Sequence, residues 1–541
     1  MKSIPYLSKK LNRSLIGIFL LIFFLKINTQ VNAQQTNLIQ KVQETMLNST
    51  KFMVEKASLN GGYVWYYKPD LSRRWGEMEA YNSMIWLQHP GTISMGHLFL
   101  DAYKVTGNEY YYQAAQKAAN AVIWGQSSEG GWNYMIDFAG DKSLKQWYNT
   151  IGKNAWRLEE FQHYYGNSTF DDDITSDAAR FLLRMYLEKM DPTYKPALDK
   201  AINFILKSQY PIGGWPQRYP LKYDFNKQGH PDYTSYYTFN DDVIWENVHF
   251  LIQSYLTLGE ERFLDPIYRG MNFYLTSQAD CGAWGQQVNM QFQTAGARTY
   301  EPAAFLPSTT CENALLLLKF YEFTGDKRFL VQVPKAIKWL EDCKLPDNQI
   351  DGHRTHPTFI DIVTNKAIYV HRKGSNVQFG SYYLDDNDQN LLGHYSGKHG
   401  IELEKLKAEY LRLSSLPIEE VTKDSPLKAA HFQGTGTPQN FYDLNRDNFS
   451  SSSTDAEIKQ IIQSVDSQNR WLTKHAYISH PYIGDGQNQE QGPKYASTVV
   501  GDDTDTSPYP DPSDNLYIST GEYIRNIHKL INFLKSNQSN K

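Results

Sequence analysis

Three tryptophans stand in register along this chain, and the register belongs to an internal repeat, the feature that most narrows the folds open to it. With Tyr103, Tyr186 and Tyr255 as origins, a Gln follows 23 residues on (Gln126, Gln209, Gln278), a Gly 27 residues on (Gly130, Gly213, Gly282) and a Trp 29 residues on (Trp132, Trp215, Trp284). Between origin and glycine the apolar residues keep a helical period: Ala115, Ala118, Ala119 and Val122 in the first unit, Leu198, Ala201, Ile202 and Ile205 in the second. A fourth origin, Tyr321, continues that pattern with Val333, Ala336, Ile337 and Leu340. This i, i+3, i+4, i+7 spacing marks one buried face of a helix. Each unit therefore reads as helix, turn, helix and a glycine-rich loop with Trp. Stacked helical hairpins predict a mainly α chain, an α/α toroid or an open solenoid, with the Gly-Trp loops at one end. Each Trp is either a flat face for a ligand or a plug for its helix pair.

The C-terminal third is less regular. Strand-like pieces fall at Thr358–Val363 and Ala367–Val370, residues of about 430–515 read as a long irregular insert, and Gly521 to Leu534 reads as a closing helix. At the other end, Lys9, Lys10 and Arg13 precede an apolar run from Leu15 to Leu25 and the Val31-Asn32-Ala33 tripeptide. That is the layout of a signal peptide over 1–33, and the run is too short to span a bilayer. The expectation is an exported protein, periplasmic or secreted, with a single domain over 34–541 and no membrane contact after signal removal. A net charge of −5 argues against non-specific binding of nucleic acid. Three cysteines (Cys281, Cys311, Cys343) fit neither a disulfide framework nor a zinc motif, with room for one bridged pair. The 14% aromatic content suits sugar rings and a large aromatic core equally.

Chemistry concentrates in three segments. Asp171-Asp172-Asp173-Ile174-Thr175 stands before a helix starting near Ser176, where carboxylates either cap the helix or bind Ca²⁺. Gly213-Gly214-Trp215-Pro216-Gln217 is followed by Asn240-Asp241-Asp242, again before a helix. If both acidic N-termini converge on one end of a toroid, they form a better calcium site than either alone. The third segment, Gly296-Ala297-Arg298-Thr299-Tyr300-Glu301, places an arginine where it pairs with Glu301 or Glu312, or meets an anionic ligand.

These pieces carry a resemblance. Gly-Gly-Trp-Pro-Gln at 213–217, Phe-Asn-Asp at 239–241 and Ala-Arg-x-Tyr-Glu at 297–301, in that order and on the repeat, resemble the pectate lyases of polysaccharide lyase family 10. The resemblance implies a toroid of helices and Ca²⁺-assisted β-elimination of pectate or a related uronate polymer. It implies Arg298 as catalytic base, Asp171 and Asp241 at the metal, and Arg372 toward the substrate; beside them Asp242 is expected at the metal, and Asp172, Thr175, Trp215, Gln217, Asn240 and Tyr300 toward the substrate. An arginine base, with its pKa above about 12, implies an alkaline optimum. The chain departs from the family pattern at Asp172-Asp173-Ile174, at Val288-Asn289 and around Thr358, so the residues rimming the substrate are altered. Two other readings stay open: a glycoside hydrolase with two carboxylates as acid and base, and a non-catalytic binder of acidic glycans.

Overall fold

A computed structural model describes residues 35–155, 157–223, 226–227, 229–373, 381–391, 396–436, 438, 453–480 and 506–538. The expected signal segment lies outside them. Helix α1 (35–52) precedes the hairpin α2 (Thr92–Thr106)–α3 (Glu109–Trp124) and the short α4 (Asp141–Thr150). Three more hairpins follow: α5 (Ile174–Lys189)–α6 (Lys195–Ser208), α7 (Val243–Leu258)–α8 (Leu264–Ser277) and α9 (Pro307–Thr324)–α10 (Lys327–Asp342). Helices α11 (Leu403–Ser415), α12 (Ile418–Val421), α13 (Asp455–Gln463) and α14 (Thr520–Gln538) complete the order.

The first helices of the hairpins pack in sequence, α2 on α5 and α5 on α7. Their shared face is polar as well as apolar. Arg184 of α5 reaches Asp101 of α2 at 2.6 Å, and Arg180 of α5 reaches Glu246 of α7 at 2.5 Å, both arginines being 2% exposed or less. Buried charges of this kind persist only when paired and hydrogen-bonded, which fixes the register of neighbouring helices.

The repeat residues hold one hairpin to the next. Each repeat Gln donates twice, to its own glycine's carbonyl and to the following hairpin: Gln126 to Gly130 and Ala197, Gln209 to Gly213 and Pro266, all at 2.9 Å. Gly213 has φ +119°, and a Cβ there would stand 2.0 Å from the Arg269 carbonyl oxygen of α8. Only glycine satisfies both the backbone and the approach. The tryptophans are plugs: Trp132, Trp215 and Trp284 are each 1% exposed or less, and each indole N–H donates to the carbonyl ten residues earlier. The flat-face alternative is thereby corrected, since a fully buried ring presents no face to a ligand.

The architecture is the mainly α toroid of helical hairpins that the repeat predicts. The first and last described helices meet within it, for α14 packs against both α2 and α13, and Tyr523 of α14 shares a 2.6 Å hydrogen bond with Thr50 of α1. The region 430–515 needs a correction in its described part. Trp471 donates to the Ile461 carbonyl of α13 at 3.0 Å, the same ten-residue step, and Asn469 holds φ +63° where the other units have glycine. A further repeat unit is thus hidden in the supposed insert. Its strand Leu472–Thr473 pairs with Tyr517–Ser519, which pairs in turn with Tyr66–Tyr67. Residues 439–452 and 481–505 lie outside the description.

The expected strand pieces occur as Phe359–Asp361 and Ala367–Lys373, in one antiparallel sheet with Ala304–Phe305 and Ser381–Asp385. All three cysteines are free, so the bridged pair is corrected. Among the described residues no helix is long and apolar enough to cross a membrane.

Candidate active site

Both acidic segments fold into the same unusual turn. Asp171–Asp173 and Asn240–Asp242 are single 3₁₀ turns running into α5 and α7. Asp172 and Asp173 have φ of +48° and +58°, and Asp241 and Asp242 have +50° and +55°. Such left-handed pairs are costly for residues with a side chain and concentrate at functional sites. Neither Asp173 nor Asp242 makes a side-chain cap, so the helix-capping reading is corrected: the strained turn spends its carboxylates elsewhere. The helix also begins at Ile174 rather than near Ser176.

The two turns touch each other, as the convergence argument requires. Asp171 is buried and held at both oxygens, by the Tyr134 hydroxyl at Oδ2 and by Gln217 Nε2 at Oδ1, 2.7 Å away. Asp172 accepts from Gln88 Nε2 at 2.6 Å, and the same amide reaches Glu77 Oε2 at 3.0 Å. Asp241 stands open to the cleft beside them and accepts from Asn240 Nδ2. Burial and then Asp171 drive the Asp172 carboxyl far above the ordinary carboxylate range; Asp241, though open to the cleft, is crowded by protein atoms, and that desolvation and then Asp171 raise it likewise. Burial also raises Glu77, with Asp171 adding to the shift. The pocket holds more negative charge than its surroundings balance.

Arg298 lies near enough to these turns for its charge to act on Asp172 and Asp241. Its Nε and Nη2 grip Glu301 at 2.9 and 3.0 Å, its Nη1 lies 3.4 Å from Glu160 Oε2, and its guanidinium rests over the Tyr300 ring at 5.3 Å. The expected pairing with Glu301 is present. Tyr300 is 2% exposed and donates to the Arg157 carbonyl, so it supports Arg298 from behind. Glu160 is pushed up to about 8, first by burial and then by Glu77 and Asp171, against the opposing pull of Arg298. Thr299 fastens the arginine's loop to Glu159 through its N–H, at 3.0 Å, and its hydroxyl.

Other expected residues lie elsewhere. Thr175 is fully buried, donating to the Thr169 carbonyl and accepting from the Trp132 N–H at 3.1 Å; it ties two loops together. Trp215 is a core plug, and Gln217 acts through Asp171, so for these three the expected substrate contact gives way to a packing or positioning role. Arg372 is buried in the strand Ala367–Lys373. Asp242 lines a cavity with Asp241 and Glu312, where desolvation by the protein atoms around it, and then Glu246, raise its carboxyl to about 6. Glu77, Gln88, Glu159 and Glu160 escaped the sequence reading because they sit in irregular segments and fit no motif; Tyr134 stands two residues after Trp132, as Gln217 stands two after Trp215, and that shared place is the signal that could have found it. Among the described residues no three His, Cys, Asp or Glu side chains converge closely enough to hold a metal ion by themselves.

The pectic acid lyase family model matches residues 136–410. Among solved structures, a family 10 polysaccharide lyase from Cellvibrio cellulosa is similar at 18% identity, over 58% of this chain and 95% of that one, with a TM-score of 0.38. A point mutant of the Cellvibrio enzyme, in complex with trigalacturonic acid, matches at 18% identity over 51% and 86%, with a TM-score of 0.34. A sugar epimerase from a ruminal bacterium matches at 14% identity over 61% and 77%, with a TM-score of 0.39. No curated protein shows a significant match.

Proposed function

Because the chain belongs to the pectic acid lyase family, and so is a polysaccharide lyase, we propose that it cleaves pectate or a related uronate polymer by β-elimination, with Arg298 facing the reacting carbon and Ca²⁺ as cofactor. In this reaction the C5 proton leaves, a C4–C5 double bond forms, and the C4–O bond to the leaving sugar breaks. The observation that carries the reading is the contact between the turn of Asp171 and Asp172 and the turn of Asp241, with Arg298 near enough to act on their charge. It brings a cation-seeking group and a fixed guanidinium to one place.

The donor chemistry suits Ca²⁺, a hard cation that prefers carboxylate oxygen. Carboxyls forced upward by desolvation and then by one another are relieved by a divalent charge. With fewer than three protein ligands converging, Asp171 and Asp241 would share the ion with the substrate's own carboxylate and water. When bound, Ca²⁺ supplies charge compensation at that carboxylate and so acidifies the adjacent C5 proton.

The chain's own residues do the rest. Tyr134 and Gln217 hold Asp171 in orientation, and Gln88 holds Asp172. Arg298 takes the C5 proton or stabilises the enediolate that its loss creates. Glu301 and Glu160 favour its charged form, so its service as a base needs one of these pairings loosened. Glu160, protonated below about 8, already leaves Glu301 as the dominant partner at neutral pH. The export expected from residues 1–33 would place the enzyme with its polymer outside the cytoplasm.

Cleavage of polygalacturonate in ¹⁸O-labelled water tests the reaction class. An eliminating enzyme gives unsaturated ends without label. Label in every new reducing end, and no unsaturation, would instead establish hydrolysis.

A further inference from the structure

Next to Asp241 the cleft widens into a cavity of about 250 Å³. Its walls combine Asn240, Ser308, Thr309 and Thr358 with the carboxylates of Asp241, Asp242 and Glu312, and with Phe239 and Phe359. Among the described residues its lining has no Lys or Arg; its one histidine, His399, has its pKa lowered by burial and then by Arg354, which favours the neutral ring. Glu312 is open to the cavity yet sunk among protein atoms. That desolvation, followed by Asp242 and Glu402, pushes its carboxyl up to about 7. Gln286 adds an independent sign of a ligand: it lines the cavity, is 2% exposed, and its Nε2 finds no acceptor among the described residues. A buried amide N–H₂ without an acceptor is uncommon in a folded protein.

This wall repels a second uronate. Beyond the ion that Asp241 would share, the lining offers a uronate carboxylate only Glu312, ionised above about pH 7, and no Lys or Arg, which opposes its binding, whereas hydroxyl, amide and aromatic groups suit an uncharged sugar ring. We propose that the cavity is a subsite for an uncharged pyranose, so that the polymer cleaved carries an uncharged residue beside the uronate at Arg298. The inference rests on the lyase reading and narrows its substrate class. Two sources share this chemistry, a neutral sugar alternating with the uronate and a methyl-esterified uronate. Glu312 is the specificity-determining residue, since it reaches the cavity from α9 without belonging to the Asp171–Asp241 cluster.

The test compares three polymers with the full chain: polygalacturonate, partly methyl-esterified polygalacturonate, and a uronan alternating with rhamnose. The expected kcat/KM is at least tenfold higher on one of the two uncharged-residue polymers, which identifies the source. Glu312→Lys is expected to raise kcat/KM on polygalacturonate at least tenfold relative to the preferred polymer, with Glu312→Gln between. Polygalacturonate as the best substrate, with a ratio unmoved by either variant, would overturn the proposal. So would a bound calcium ion lost specifically in Glu312→Gln, which would make the cavity a cation site. If no polymer yields unsaturated product, the lyase reading fails by itself. The subsite is then judged by calorimetric binding of tetrasaccharides cut from the same polymers: discrimination against the all-uronate one, reversed by Glu312→Lys, sustains it, and indifference sinks it.

Discussion

Arg298 Nη1 stands 3.4 Å from Glu160 Oε2, so the cation at the mouth of the site shares its charge with a carboxyl pushed up to about 8. Two states of this pair exist around neutrality. Below about pH 8 the Glu160 carboxyl is protonated and Arg298 answers mainly to Glu301. Above it a second anion holds the guanidinium. The wild-type profile of kcat/KM is therefore expected to carry an inflection near pH 8 that Glu160→Gln removes. An unchanged inflection in that variant would assign it to another group.

Glu301 makes the bidentate contact to Arg298, its side chain is nearly fully buried, and it accepts the Arg298 backbone N–H at 2.8 Å. Glu301→Gln keeps the shape but loses the fork-to-fork pairing that aims the guanidinium. A fall in kcat/KM of about 100-fold or more is expected, carried by kcat rather than KM, in line with lost transition-state positioning. A variant that changes KM alone would place Arg298 in ground-state binding.

Stability should depend on pH and cation together. Asp242, Glu312 and Glu160 have carboxyls raised to about 6, 7 and 8, above their unfolded values. A raised carboxyl contributes stability that is full below its unfolded pKa and is lost as pH rises through its folded one. In chelator, Tm is expected to fall as pH climbs from about 5 to about 8, and added Ca²⁺ is expected to restore more of it at the upper end. Thermal scans at several pH values check the sign; a Tm that rises across the window would contradict it.

The repeat residues predict a different class of effect. Trp471→Ala and Trp215→Ala each empty a buried indole site and are expected to cost about 3–5 kcal/mol in denaturant unfolding. Gly213→Ala drives a Cβ into the Arg269 carbonyl and is expected to cost about 2–4 kcal/mol. If Trp471→Ala proved neutral, the hidden unit at α13 would not be a structural repeat.

Legibility in the sequence followed the same line. The hairpins of Trp132, Trp215 and Trp284 could be read because three constraints at fixed spacing, a double-donating Gln, a left-handed Gly and an indole donor, leave an unmistakable signature. The unit at Trp471 could not, since Asn469 supplies the left-handed backbone without a glycine to announce it. In the site, Asp171, Asp241 and Arg298 could be picked out from their motifs, and the meeting of the two acidic turns follows from the ring geometry. Their partners could not: Gln88 bridges Glu77 and Asp172 from a segment before the first repeat, and Glu160 comes from a short 3₁₀ turn between the hairpins. Tertiary packing alone brings them in. Trp215 and Thr175 show the converse, residues whose motif suggested substrate and whose packing assigns them to the scaffold.

Elimination at Arg298, with a divalent cation at Asp171 and Asp241, is the central claim. The most direct measurement is ultraviolet absorbance of unsaturated uronate product released from the three polymers, with Ca²⁺ and with chelator, for wild type, Arg298→Ala and Asp241→Asn. A Ca²⁺-dependent rise in the wild type on at least one polymer, reduced about 100-fold or more in both folded variants, is the predicted result. A rise that survives Arg298→Ala, or one indifferent to chelator, would contradict it.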